Sequence, residues 1–197
     1  MAKSKNTPQQ YKDIHGWFDY EDLYTLIFKS LKTNSHIVEV GCWLGRSACF
    51  MAELIKDSTK EIKFDCVDTW RTGPSEHLHL QRLSIEPEVD ISAYFKENMK
   101  KAGVLKQIKM VQTTSLEAVS LYKDNSLDFV FLDNDHSEKY VFEELIAWWP
   151  KIKKGGVLAG HDYIEKSWPG VVKAVNRFAK LKKKKQEVML HSYIFRK

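Results

Sequence analysis

The chain has 197 residues, 43% hydrophobic and 29% charged, with a formal net charge of +5. That length and apolar content suit one domain over residues 1–197 with one sizeable core, and argue against two cores. No apolar stretch approaches the roughly 18 residues of a membrane span and no signal peptide opens the chain, so a cytoplasmic protein with no membrane partner is expected.

The excess positive charge gathers in Lys182, Lys183, Lys184 and Lys185 and in the Lys-rich N-terminus, which reads as solvated surface. Cys42, Cys49 and Cys66 are an odd number without metal-ligand spacing, as expected of buried free thiols in a reducing compartment.

Residues 1–10 are polar and expected to be loose. In "GWFDYEDLYTLIFKSL", Leu23, Leu26, Ile27 and Leu31 have helical spacing. "HIVEVG" is a short β-branched strand stopped by Gly41. "GRSACFMAELIK" returns to a helix with Ala48, Met51, Ala52 and Ile55 on one side, and "IKFDCVD" is the next strand. The stretch 71–90, with Pro74, Pro87, His77 and His79, reads as a variable loop that shapes acceptor choice. "ISAYFKENMKKAG" is a helix ended by Gly103.

After it the pattern predicts a strand "IKMVQT", a helix "SLEAVSLY", a strand "LDFVFLD", a helix "EKYVFEELIAWWPKI", a strand "GVLAGHDY" and a helix "PGVVKAVNRFAKLK". "EVML" and "YIFRK" can supply two last strands. In the aromatic helix, Val141, Leu145, Trp148 and Trp149 form a core stripe; Phe142 and Ile146 widen it enough to serve a possible homodimer contact.

Strands alternating with helices argue for a parallel sheet covered on both faces, and such sheets bind ligands beyond the carboxyl ends of their strands. Two apolar runs here end in acids and histidines: Asp133-Asn134-Asp135-His136, and His161-Asp162. Those clusters belong in a cleft, although Ser137 also suits a helix cap.

The first strand–turn–helix, "VEVGCWLGRS", excludes a dinucleotide fingerprint. Trp43 and Arg46 stand where the second and third glycines are needed, and the second glycine is what lets backbone approach a pyrophosphate. A nicotinamide-dependent oxidoreductase is therefore the disfavoured alternative, and a non-catalytic binding module the other. What remains is Glu39 with Gly41 and Gly45, and Asp68 at the end of the second strand, placed to accept two ribose hydroxyls.

These residues resemble the E-x-G-x-G-x-G turn of S-adenosylmethionine-dependent methyltransferases, with Trp43 replacing the middle glycine. The ordered set "WFDYEDLY", "VEVGCWLGRSACFMAE", "CVDTW", "DNDHSEKYVFEELIAWWPKIKKGGVLAGHDY" and "GVVKAV" is similar to the small enzymes grouped as methyltransferase domain 24, from about Trp17 to Ala179. The resemblance implies a Rossmann-like three-layer α/β/α sandwich whose mostly parallel sheet carries a C-terminal antiparallel strand.

It further implies S-adenosyl-L-methionine as cofactor. Gly41 and Gly45 would hold the methionine end, and Glu39 would reach toward its amino group. Asp68 would hold the ribose, Thr69 and Trp70 would lie beside the sugar or adenine, and Ser115 would sit near the adenine with Thr114 as neighbour. Asp133 would border the methyl-donor pocket, and Trp17 and Phe18 would form part of a lid.

Methyl transfer to a hydroxyl needs a positioned and deprotonated nucleophile. Similarity to metal-dependent O-methyltransferases implies Asp133, His161 and Asp162 as ligands of a divalent ion, Mg²⁺ or Mn²⁺, with His136 in the catalytic position. His161 departs from the carboxylate or amide usual there and favours Mn²⁺, Fe²⁺ or Zn²⁺ over Mg²⁺. Without a metal, His161 and Asp162 would serve as base and orienter; His136 stands as a base or a helix cap. The turn after the fourth strand lacks the Pro-Pro of base-amino methylases, and no basic face interleaved with aromatics is visible. A small molecule or sugar hydroxyl is the expected acceptor, and nucleic acid is not.

Overall fold

The computed structural model describes residues 9–71 and 90–197. The expectations for 1–10 and for the loop at 71–90, with His77 and His79, fall almost wholly outside the described residues. At the base of that loop, Arg71 and Asp90 form an isolated antiparallel bridge.

Among the described residues seven strands form one sheet: β1 (Ser35–Val40), β2 (Ile62–Asp68), β3 (Ile108–Gln112), β4 (Leu127–Leu132), β5 (Ile152–Gly160), β6 (Glu187–Met189) and β7 (Ser192–Arg196). Their order is β3-β2-β1-β4-β5-β7-β6. The first five are parallel, and β7 runs antiparallel to both β5 and β6. Among the described residues the α-helices are α1 (Glu21–Ser30), α2 (Arg46–Lys56), α3 (Ser92–Lys101), α4 (Ser115–Ala118), α5 (Glu138–Trp148) and α6 (Pro169–Lys182).

Where one core was expected, the alternating faces of the strands bury two apolar clusters, one on each side of the same sheet, as the period of two requires. Ile37, Phe64, Phe129, Phe131 and Ala159 pack with Leu23, Ile27, Met51, Ile55 and Phe95 from α1, α2 and α3. Val38, Val40, Val130, Leu132 and Leu158 pack with Val141, Leu145, Trp148, Val175 and Phe178 from α5 and α6. The sheet is therefore the middle layer of a three-layer α/β/α sandwich of Rossmann type.

Four local expectations are corrected. Leu26, 44% exposed, is not part of the buried face of α1; Tyr24 takes that place. The helix expected over "SLEAVSLY" is one α-turn followed by a 3-10 turn at Val119–Leu121, although Thr114 and Glu117 start it with a reciprocal capping box. The aromatic helix stops at Trp148, because Pro150 has no N–H to continue the i→i−4 ladder; a 3-10 turn, Trp149–Lys151, takes over.

β5 begins at Ile152, earlier than expected, and ends at Gly160, short of Tyr163. A register shift against β4 absorbs the Lys153-Lys154-Gly155-Gly156 stretch that hid its start. Ser137 is the N-cap of α5. Val141, Leu145, Trp148 and Trp149 are all buried within the chain, and Arg177 covers the Phe142 ring at 3.9 Å. No helix among the described residues is long and apolar enough to cross a membrane.

Candidate active site

The carboxyl ends of β1, β2, β4 and β5 converge because the parallel ladder continues past them. The Gly41 amide donates to the Val67 carbonyl, Asp133 to Val40, and His161 to Leu132. Gly41 has φ +87°, and a Cβ there would overlap the carbonyl of Asp133. Gly45 has φ +92°, and a Cβ would lie 2.6–2.8 Å from Met99 and Phe95. Both glycines are thus demanded by the packing of the turn. Three non-glycine residues also sit in the left-handed region at these strand ends: Trp43, Trp70 and Asp162. Such backbone costs about 1–3 kcal/mol each and gathers at functional sites.

Above β1, β2 and β3 lies a cavity of about 280 Å³, close to the ~300 Å³ lower bound of small-ligand sites. Its walls include Gly41, Asp68, Thr69, Thr114, Ser115 and Tyr140. Trp43 does not line it: its indole stacks on Trp17 at 5.4 Å and meets His15 at 5.3 Å. Asp68 is held by backbone, accepting from the amides of Trp43 (2.8 Å) and Trp70 (2.7 Å).

Other expected donor contacts sit elsewhere. Trp70 is fully buried against Phe95 at 5.0 Å, and its indole N–H donates to the Trp43 carbonyl. Its left-handed backbone turns the ring into the core, so it steadies the turn and does not face the cavity. Glu39 is also buried, accepting from Ser47 (2.6 Å) and Tyr24 (2.9 Å); burial pushes it up to about 7. Neither residue lines the cavity. Ser115 does, while its hydroxyl accepts from the Trp148 indole at 3.0 Å. Of the expected lid, Trp17 is exposed and stacked on Trp43, whereas Phe18 packs among Tyr20, Tyr24 and Phe50.

The acid–histidine cluster lies across the turn after β4. His136 Nε2 is 2.8 Å from Asp162 Oδ2, and His161 Nδ1 is 3.3 Å from Asp162 Oδ1. The Tyr20 hydroxyl donates to Asp133 at 2.9 Å, and the His136 ring stacks on Trp168 at 3.8 Å. Burial raises Asp133 to about 6, against the pull of His161. Burial also opposes charge on His161, but the carboxylates of Asp162, Asp133 and Asp19 overcome it and raise the group to about 9. Burial would raise Asp162 too, yet its two histidines hold it far below the usual carboxylate range. His136 is raised because Asp162 outweighs its desolvation.

Asp133, His161 and Asp162, the expected metal ligands, offer ligand atoms within 4.8 Å of one another. A small void of about 10 Å³ among Asp133, His136, Glu144, His161 and Asp162 is the size of one water.

Sequence reasoning missed Asp19, Tyr20, His191 and Glu144. Asp19 sits inside the aromatic "WFDYEDLY" and His191 in the turn between β6 and β7, and no spacing rule joins them. Glu144 hides on the apolar stripe of α5, 1% exposed, within 3.4 Å of the Asn134 amide.

A family model described as a methyltransferase domain matches residues 38–163. No curated protein sequence matches the chain. Among solved structures, the O-methyltransferase NovP is 14% identical, over 90% of this chain and 78% of that one, with a TM-score of 0.70. The calicheamicin methyltransferase CalS11 is 16% identical, over 89% and 76%, at 0.62. A SAM-dependent O-methyltransferase from Thermotoga maritima is 15% identical, over 83% and 52%, at 0.56. At such identities these likenesses establish the fold, while the domain match covers the strand ends that build the site. The chain therefore belongs to the methyltransferase domain 24 family of class I, S-adenosylmethionine-dependent methyltransferases.

Proposed function

We propose that the chain methylates a hydroxyl oxygen of a small polar or sugar-like acceptor, with S-adenosylmethionine lodged in the cavity above β1, β2 and β3. One observation carries this reading: Asn134 and Asp135 line both that cavity and the acid–histidine void, so a single turn separates donor space from proton-accepting groups. When bound, the cofactor supplies a methyl group on a positively charged sulfur.

In this reading Asp68 accepts the ribose hydroxyls, Thr69 and Ser115 flank the nucleoside, and the Gly41 backbone lies against its tail. Gly45, Glu39 and Trp70 act on the donor only by fixing the turn. Asp133 borders the reacting centre. With Nε2–H donating to Asp162, His136 presents Nδ1 to take the acceptor's proton, and Asp162 orients the ring as a carboxylate does in a base–orienter pair. His161 fixes the other Asp162 oxygen.

Calorimetric titration with the demethylated product, S-adenosylhomocysteine, tests the donor half. Absence of binding up to about 1 mM, a free energy weaker than about −4 kcal/mol, refutes it. Product formation with a panel of catechols, phenols and sugars tests the acceptor half; turnover only on amines or nucleic acid refutes it.

A further inference from the structure

The two ring nitrogens of His161 face different carboxylates. Nε2 lies 2.7 Å from Asp19 Oδ1, whereas Nδ1 lies 3.3 Å from Asp162 Oδ1 and 3.9 Å from Asp133 Oδ1. The second oxygen of Asp19, Oδ2, lies 2.7 Å from His191 Nδ1. Asp19, His161 and His191 therefore present one carboxylate and two imidazoles, with ligand atoms within 4.8 Å of one another. They come from the segment before α1, the loop after β5 and the turn between β6 and β7.

We propose that Asp19, His161 and His191 form a binding site for a divalent transition metal, Mn²⁺, Fe²⁺ or Zn²⁺, at the mouth of the acid–histidine cluster. Two imidazoles with one carboxylate suit these ions and disfavour the hard Mg²⁺. Ligand atoms about 2.1 Å from one ion stand roughly 3–3.4 Å apart, and the three residues already hold theirs within 4.8 Å of one another.

The orientation of His161 supports the same assignment. A ligating imidazole generally gives its other N–H to a carboxylate, which fixes tautomer and ring plane. Asp162 stands on the Nδ1 side of His161 and is itself gripped by His136 at 2.8 Å. It is thus placed to orient the ligand. The set expected from sequence, Asp133 with His161 and Asp162, requires Nδ1 as the ligand atom, and both of its carboxylates lie farther from the ring than Asp19 does. The His161 side chain is 11% exposed while those of Asp19 and His191 are 46% and 49% exposed, so a half-buried anchor meets two rim ligands. Three protein ligands at a rim leave positions open for water or an oxygen ligand. The site does not rest on the donor reading, since the ion is measured with no donor present.

The test is calorimetric titration of Mn²⁺ and Zn²⁺ into the full chain and into three variants, with metal-free melting curves as a folding control. The wild type is expected to bind a single equivalent near or below about 10 µM. His191→Ala and Asp19→Asn should each weaken binding by about 100-fold or more, and Asp133→Asn by under about 3-fold. Failure of the wild type to bind either ion up to about 1 mM overturns the proposal. So does an Asp133→Asn loss as large as that of His191→Ala, which places the ion on the other side of His161.

Discussion

Replacing Glu39 by Gln makes stability report directly on how deeply the first strand is enclosed. Glu39 points into the core shared by α1 and α2, 1% exposed, with Tyr24 and Ser47 as its hydrogen-bond donors. Burial moves its carboxyl from the ordinary 4.5 to about 7; Ser47 and Tyr24 offset part of that, and the charges of Asp133 and Asp68 add to it.

Between those two values the folded chain keeps a proton that the unfolded chain has released. The contribution of Glu39 to stability therefore falls as pH rises from about 4.5 to about 7, by roughly 3 kcal/mol in total, and is flat beyond. Gln cannot ionise, and its amide can accept from one hydroxyl while donating to the other. Urea unfolding of wild type and Glu39→Gln at pH 5 and pH 8 isolates the effect, because groups common to both proteins cancel. The difference in unfolding free energy should move by about 2–3 kcal/mol in favour of Gln between the two pH values. A difference constant across that range refutes the reasoning, and with it the view that Glu39 is a buried brace.

Asp68→Ala should weaken S-adenosylhomocysteine binding by about 10²–10⁴-fold in calorimetry, since two charge-assisted hydrogen bonds of roughly 1.5–3 kcal/mol each are lost. His136→Ala should lower kcat by about 10²–10⁴-fold while leaving product affinity within experimental error, separating proton transfer from donor binding. Leu145→Ala, at a site with no exposure on α5, should cost about 2–5 kcal/mol in urea unfolding without changing the donor affinity of the folded protein. Gly41→Ala, whose new methyl group meets the Asp133 carbonyl, should reduce both stability and donor binding, measured by melting and titration.

Much of the architecture was legible because period and punctuation agreed. β1, β2 and β4 are short apolar runs with sharp ends, and Asp68 could be placed by counting from the first turn. β5 was harder: two lysines and two glycines interrupt it at a register shift, a tertiary feature with no local mark. Trp70 was placed beside the nucleoside by position alone. A left-handed backbone turns its ring into the core, and a tryptophan carries no sequence sign of such a conformation.

Glu39 was expected to face the ligand, yet Tyr24 and Ser47, from two different helices, enclose it. Asp19 and His191 lie 172 residues apart and meet only because β7 returns antiparallel beside β5. Pairings of that range are written in the topology, and one sequence does not display them.

The most direct measurement is a crystal structure of the chain grown with saturating S-adenosylhomocysteine. The account predicts adenosine density in the cavity between Gly41, Asp68 and Ser115, with both ribose hydroxyls about 3 Å from the Asp68 carboxylate. Ligand bound elsewhere, or a cavity closed by the Trp43 indole, would contradict it.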